Sequence, residues 1–240
     1  MKSLLKKMLY LSWVLVLIMA AGCNESDKEG TKVDEENIRI GEEYSKELAS
    51  YFPEEEGKVL IYNGFAEYGQ TLTLDRIIRN DDKLRLIFKG EIEDVSGGEG
   101  PPRHELIFET EYIITKDSVK EVQKNEKRRF SQSIIREQTV LKLPIEEGQK
   151  WKQVVNIDGT EYEAATEIIE VSKDARDRNL VKTETIIEGI DSYPGDTYRE
   201  VKVYRKGQGL VEFNNIILLG NGEDGREPTS IKFGYRLFEE

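Results

Sequence analysis

Apolar and polar residues alternate along most of the chain after residue 57, as in half-buried β-strands. In residues 83–92, leucine, phenylalanine and isoleucine alternate with lysine, arginine and glutamate, and a similar alternation returns in residues 105–114, 161–168 and 231–237. One apolar and one charged face indicate an antiparallel sheet with a solvated side. We therefore expect about ten to twelve strands in a mainly β fold, an antiparallel sandwich or open barrel.

Short polar segments between these strands predict turns. Asp158-Gly159 is typical of a two-residue hairpin, and Asn80-Asp81-Asp82 and Lys116-Asp117-Ser118 are typical of tight turns. Gly207-Gln208-Gly209 lacks the third glycine and the following helix of a nucleotide-binding loop. We interpret it as a turn that enters a strand.

One short helix is predicted before the strands. Tyr44, Leu48 and Phe52 recur at helical spacing between charged residues, and Pro53 ends the pattern. The helix is expected from about Glu42 to Ser50, with its apolar stripe packed on the domain. The stripe also fits a partner-binding helix, although packing on the core is the commoner role.

A six-residue unit occurs twice. Phe52-Pro53-Glu54-Glu55-Glu56-Gly57 recurs as Leu143-Pro144-Ile145-Glu146-Glu147-Gly148, and the third residue after each glycine is the large apolar Leu60 or Trp151. Such a repeat predicts two related halves that share one core. The predicted halves are residues 51–141 and 142–240.

Short motifs within residues 51–240 carry a family resemblance. They are Tyr51-Phe52-Pro53 with Gly57, Leu143-Pro144 with Gly148 and Trp151, and Lys206-Gly207-Gln208-Gly209-Leu210-Val211. Together they resemble uncharacterised lipoproteins of low-GC Gram-positive bacteria, in which a Tyr-Phe-Pro…Gly…Trp/Tyr unit recurs. The chain departs from that pattern at Glu54 and Leu60. The resemblance implies export and a β fold, and it implies no activity.

The first 22 residues have the pattern of a secretory leader. Lysines at positions 2, 6 and 7 precede the uncharged, mostly apolar residues 8–22, a run shorter than the roughly 18–20 apolar residues of a spanning helix. The run ends in Ala20-Ala21-Gly22-Cys23, which resembles the lipobox of bacterial lipoproteins. The resemblance implies cleavage between Gly22 and Cys23 and lipidation of Cys23. An ordinary signal peptide or an uncleaved anchor is the alternative.

Cys23 is the only cysteine, so it cannot form an internal disulfide. A diacylglycerol and an amide-linked chain on Cys23 anchor a protein stably without a spanning helix. Residues 23–37 are polar and acidic, which predicts a flexible lipidated linker before a β domain at 38–240. The expected location is the extracytoplasmic face of the cell membrane.

Charge and composition limit which ligands and which catalytic groups the sequence can provide. Removal of residues 1–22, which hold three lysines, lowers the formal net charge from −12 to −15, which disfavours nucleic-acid binding. With a single histidine, His104, a multi-histidine metal site is excluded, and we predict no metal and no cofactor. A catalytic role for His104 has no Gly-x-Ser-x-Gly motif to support it. We therefore predict a protein that is not an enzyme.

Aromatic residues are the candidate ligand site. They are Tyr62, Tyr68, Trp151 and Tyr162, joined by Tyr193 and Tyr198. They are suited to line a cleft between the halves, although core packing also explains them and is the interpretation we favour. The predicted function is a non-catalytic module that binds a small ligand or an envelope protein. The alternative is a carboxylate-dependent hydrolase of cell-envelope glycans, which requires two inward-facing acids in one cleft, at least one with a raised pKa.

Overall fold

Twelve strands, each antiparallel to its neighbours, form one continuous sheet that curves into a nearly closed barrel. A computed structural model describes residues 44–64, 69–80, 82–93, 100–125, 127–128, 132–191, 193–219 and 229–239. The leader, Cys23, the linker and Tyr68 lie outside these residues, so the predictions about them stay predictions. Within the described residues, no helix is long and apolar enough to cross a membrane.

The strands follow one short helix, α1, at Lys46–Ala49. In chain order the strands are β1 Val59–Gly64, β2 Gln70–Arg79, β3 Leu84–Ile92, β4 Ile107–Ile114, β5 Ser118–Asn125, β6 Glu137–Lys142, β7 Lys150–Ile157, β8 Thr160–Lys173, β9 Asn179–Glu188, β10 Thr197–Arg205, β11 Gly209–Leu219 and β12 Thr229–Leu237. Short 3-10 turns occur at Arg103–Glu105 and Pro194–Asp196.

The strands form an antiparallel meander, and β1 lies in the middle of the sheet, between β2 and β12. Each strand pairs with the next one in sequence, except that β1 also pairs with β12 and the sheet ends at β6 and β7. The mainly β, antiparallel prediction is therefore confirmed. Of the two predicted architectures, a sandwich and an open barrel, the structure has the barrel. The pairing of β1 with β12 joins all strands into one sheet, whereas a sandwich has two packed sheets.

The seam between β6 and β7 is closed by side chains. The Gln153 amide accepts a hydrogen bond from the Thr139 N–H at 2.7 Å and donates one to the Thr139 carbonyl at 3.1 Å. The Trp151 indole N–H donates to the same carbonyl at 3.1 Å. One side-chain amide on β7 thus pairs with the β6 backbone as a strand would, and it satisfies groups that an open edge would leave unpaired.

Replacement of Gln153 by leucine is expected to lower the free energy of unfolding by about 2 kcal/mol, because the part-buried Thr139 N–H loses its partner. Urea denaturation measures this loss. The matched control is Gln149→Leu, since Gln149 makes one long 3.3 Å hydrogen bond to the Leu143 carbonyl nearby. Equal losses in the two variants would contradict a bridging role for Gln153.

Helix α1 is shorter than predicted. It begins after Ser45, whose hydroxyl accepts the Leu48 N–H at 3.2 Å, and it ends at Ala49 rather than Ser50. The predicted first residues, 42 and 43, lie outside the described part. The single short helix is confirmed, and its end agrees to within one residue. After it, Tyr51 and Phe52 turn into the core, where the Phe52 ring lies 4.7 Å from the Tyr112 ring.

The β10–β11 turn explains the Gly-x-Gly motif. Gly207 and Gly209 both have φ +77° and donate their N–H groups to the carbonyls of Ser50 at 2.9 Å and Tyr51 at 2.7 Å. A Cβ on Gly209 would lie 3.3 Å from the Phe52 ring. Glycine permits both the left-handed backbone and this close approach, so the turn docks on the end of α1.

The two Pro-Gly units make the same local hydrogen bonds. The N–H of Gly57 donates to the Leu74 carbonyl and the N–H of Gly148 donates to the Ile168 carbonyl, both at 2.8 Å. Leu74 and Ile168 each precede a β-bulge in the second strand after the unit. The peptide bond before Pro144 is cis.

The other end of the barrel is filled by the connection between β5 and β6. Residues 132–135 are buried, and Ile134 and Ile135 pack with a second apolar cluster. The buried members of that cluster on the strands and turns are Val155, Ala164, Ile187, Ile190 and Tyr198. Helix α1 and this segment thus pack on opposite ends of the barrel.

Candidate functional site

Strand β10 brings charged side chains into the barrel. Tyr198, Glu200, Lys202 and Tyr204 alternate along it and are buried, whereas Val201 and the residues that alternate with them are only half-buried. The Lys202 ammonium lies 2.6 Å from the Glu121 carboxylate of β5 and 3.2 Å from Glu200. The interior between the two apolar ends therefore holds an ion cluster of two carboxylates and one ammonium.

Neutral donors complete this cluster on the Glu200 side. Tyr198 and Ser133 both donate to Oε2 of Glu200, at 2.6 and 2.5 Å, and Gln138 donates to Oε1 at 2.6 Å. Burial alone raises the pKa of Glu200, but Lys202 and these hydrogen bonds outweigh burial and hold the pKa below its ordinary value. Ser133 also ties the β5–β6 segment to the cluster.

The ammonium is held in its charged form. Burial alone lowers the pKa of Lys202, but the carboxylates of Glu121 and Glu200 outweigh burial and raise the pKa above its ordinary value. A lysine in this state is neither a base nor a nucleophile at neutral pH. The ion pairs of Lys202 hold β5 against β10.

Two inward-facing acids are present, as the hydrolase alternative requires, but their setting differs from a catalytic pair. The pKa of Glu200 is lowered rather than raised, and both acids bond to one lysine. The cavity beside Glu121 has a volume of about 10 Å³. That is room for about one water molecule and not for a sugar ring.

A larger concavity lies at the end filled by the β5–β6 segment. It has a volume of about 500 Å³. Its apolar wall consists of Ile134, Ile157, Ile190, Tyr193, Ile217, Leu218 and Phe233. Arg128, Asp158 and Asp191 add one positive and two negative charges, and both aspartates are exposed. We call this feature the end groove.

Tyr193 connects the groove to the core. Its ring packs edge-on against Tyr198 at 5.0 Å between centroids. Burial raises the pKa of the Tyr193 hydroxyl, and the neighbouring Arg128, which hydrogen-bonds to it, opposes that rise. Tyr193 thus contacts both the core, through Tyr198, and the groove that it lines.

The predicted aromatic set is divided between three places. Tyr162, Tyr193 and Tyr198 share the second apolar cluster, where only Tyr193 lines the end groove. Trp151 lies buried at the β6–β7 seam. Tyr62 is buried in the main core, and its hydroxyl donates to the Leu210 carbonyl at 2.7 Å. Tyr68 lies outside the described residues.

Other candidate chemistry lies on the surface. His104 is exposed in the 3-10 turn before β4. Among the described residues, no group of three or more His, Cys, Asp or Glu side chains is placed to hold a metal ion. Glu121, Glu200 and Lys202 were not predicted as site residues from the sequence. One sequence feature could have indicated them: Glu200 and Lys202 lie at every second position with Tyr198 and Tyr204, so all four share one face of the strand.

Comparison with known proteins adds little. Neither a protein-family model nor a curated protein matches the sequence. The chain is similar to a crystal structure of a protein from Parabacteroides distasonis that is described as a "putative lipoprotein". The two share 12% identity with a TM-score of 0.42, and the match covers 78% of this chain and 98% of the other. A similarity this low assigns neither a family nor a function to the chain.

Proposed function

We propose that the chain is a lipid-anchored protein of the extracytoplasmic face of the cell membrane whose β domain binds a small ligand and catalyses no reaction. The anchor rests on the small residues before Cys23, the only cysteine. Lipid on Cys23 is the membrane contact, since the acidic mature chain is repelled by anionic headgroups and by nucleic acid.

The end groove is the observation that carries the binding function. Its volume of about 500 Å³ falls in the usual range of ligand sites, which are largely apolar with a few polar groups. Apolar walls with one arginine and two aspartates suit a compact amphipathic molecule. We propose a ligand with an apolar body, buried against Ile190 and Tyr193, and a charged group that remains near Arg128.

The ion cluster supports a non-catalytic role. Glu121 and Glu200 are the acids that face the barrel interior beside each other, and Lys202 occupies the space between them. A hydrolase needs one protonated acid and access for the substrate. The hydrolase alternative is therefore less well supported than binding, and envelope glycans are not the proposed ligand.

We also propose that the barrel arose by duplication of a six-stranded unit. The proposed units are β1–β6 and β7–β12. Supporting features are the matching hydrogen bonds of Gly57 and Gly148 and the bulges after Leu74 and Ile168. Leu60 and Trp151, three residues after each glycine, are both buried.

Native mass spectrometry of the full chain, purified from membranes, tests the binding function. We expect a small-molecule adduct on the wild-type protein. We expect Tyr193→Ala to reduce its occupancy at least about tenfold, because the variant removes an aromatic wall of the groove.

The matched control is Tyr162→Ala. Tyr162 is also half-buried and packs on the same cluster, but it does not line the groove, so its variant should keep the adduct. A wild-type protein without an adduct would contradict the binding function. Equal adduct occupancy in both variants would show that the end groove is not the binding site.

A further inference from the structure

A second groove lies at the α1 end of the sheet, opposite the end groove. It crosses the ends of β9, β10, β11 and β12 that lie beside the β10–β11 turn, and it has a volume of about 400 Å³. Its apolar wall consists of Leu180, Val203, Val211 and Leu237. Its charged groups are Arg205, Arg236, Glu212 and Glu239. We call this feature the arginine groove.

Two guanidinium groups are held side by side at this groove, although both are positively charged. They belong to Arg178, in the β8–β9 turn, and to Arg205, at the end of β10. Oε1 of Gln208 accepts a hydrogen bond from each, at 3.1 and 2.9 Å. The Asp174 carboxylate lies 2.7 Å from the Arg178 guanidinium and 3.3 Å from Nε of Arg205. The two turns thus position the arginine pair in advance of any ligand.

Asp174 is a fixed part of this arrangement. Its Oδ1 atom accepts the backbone N–H groups of Arg176 and Arg178, both at 2.9 Å. Desolvation raises the pKa of Asp174, but these bonds and the Arg178 guanidinium outweigh it and lower the pKa to about 2. Asp174 is therefore a permanent anion that balances one of the two arginines. The other arginine needs a second anion.

The Glu239 side chain now supplies that second anion. Its Oε1 atom lies 3.4 Å from Nη2 of Arg178 and also contacts Nη1 of Arg205. Glu239 follows β12, and its side chain is 32% exposed, so it can leave the arginines without disturbing the core. A carboxylate on a separate molecule can instead pair with a guanidinium through both oxygens, which is the stronger geometry.

A second observation points to a ligand at Arg205. Its side chain is 15% exposed, and its buried Nε atom has no hydrogen-bond partner among the described residues. Such a donor marks a place where a ligand or water accepts a hydrogen bond. Burial and the neighbouring Arg178 also lower the pKa of Arg205, so this guanidinium is poorly solvated and lies beside like charge. A bound anion relieves both conditions.

We propose that the arginine groove binds a small molecule with one carboxylate and an apolar body, and that Glu239 occupies the carboxylate position when this ligand is absent. The ligand carboxylate pairs with Arg205 and Arg178, and the apolar body lies on Val203. Arg236 takes no part, because Glu212 already bonds to it at 3.0 and 2.6 Å. A phosphate monoester carries nearly two negative charges, more than the one arginine that Asp174 leaves unbalanced.

Isothermal titration calorimetry of the full chain in lipid nanodiscs tests this site. The probe is phenylacetate, and phenylacetamide is its uncharged analogue. Glu239→Gln should strengthen phenylacetate binding at least about tenfold over the wild type, because the ligand no longer has to displace a charged competitor. The variant changes a partly exposed side chain after the last strand, so we expect it to fold. Equal binding of phenylacetamide would contradict the carboxylate assignment.

The matched control is Glu212→Gln. It removes the same charge from the same groove but releases only Arg236, so it should not give the gain. Addition of Arg178→Gln to Glu239→Gln should cancel the gain, since it removes one of the paired guanidiniums. An equal gain in the two glutamate variants would reflect net charge alone. No gain in Glu239→Gln would make Glu239 a structural partner of the arginines only. Either result would overturn the proposal.

Discussion

Lys202→Met is expected to lower the free energy of unfolding by about 4 kcal/mol at pH 7, as measured by urea denaturation. Methionine fills similar space but leaves the carboxylates of Glu121 and Glu200 buried together without an ammonium. Removal of one partner from a buried ion pair typically costs about 3–5 kcal/mol, since the remaining charge is neither solvated nor paired.

The control for this variant is Lys120→Met. Lys120 also bonds to a glutamate, Glu137 at 2.5 Å, but both side chains are about half-exposed, so the loss should stay below about 1 kcal/mol. A loss at Lys202 as small as the loss at Lys120 would contradict a buried, charged cluster.

The pH dependence gives a further check on the same variant. The pKa of Glu200 is lowered in the folded protein, so its stabilising effect is complete above the ordinary value of 4.5 and is lost as the pH falls through the folded-state value. The raised pKa of Lys202 makes its effect complete below 10.5 and lost at higher pH. The variant lacks the ammonium that opposes burial, so its buried carboxylates should take up protons at a higher pH than in the wild type. The difference in stability between wild type and Lys202→Met should therefore shrink as the pH falls.

Cys23→Ser is expected to abolish incorporation of labelled palmitate and to release the protein from the membrane fraction. The serine hydroxyl offers no thiol for acylation, and the chain has no second cysteine to replace it. Two acyl chains hold a protein on a bilayer stably, whereas a polar, acidic linker alone has no affinity for it. The measurement is cell fractionation combined with lipid labelling and intact-mass analysis.

Ser26→Ala is the control, because it alters the linker three residues after the cysteine and leaves the cleavage site intact. It should keep the label and the membrane location. If Cys23→Ser were still labelled and retained as the wild type is, the lipid anchor would be wrong and the apolar leader would be the remaining explanation.

Local sequence patterns were enough to predict the strands and several turns. The alternation in residues 83–92 appears as the buried and exposed faces of β3, and Asp158-Gly159 forms its hairpin with both φ angles positive. Such features depend on contacts between residues close in sequence, so the pattern contains the required information. The single short helix was also predicted, and its end agrees to within one residue, but it begins later than predicted because Ser45 caps it.

The candidate sites depended on contacts that are remote in sequence. The Lys202–Glu121 pair spans 81 residues, and the Ser133–Glu200 hydrogen bond spans 67. Apolar side chains of a half-buried strand normally face the interior, so the sequence of β10 alone would favour Val201 and Val203 as the inward side chains. The structure has the reverse, because Tyr198 and Tyr204 on the other face complete the core and the barrel interior satisfies the charges between them.

By itself, then, the sequence determined the class of secondary structure and the hairpin turns, because each follows from neighbours along the chain, and it predicts the anchor at Cys23. Only the tertiary structure decided that the sheet forms a barrel, which face of β10 is internal and where an apolar groove lies. Those features arise from the register of the strands and the closure of the barrel. Both bring together residues that are far apart in sequence, so no local pattern shows that they meet.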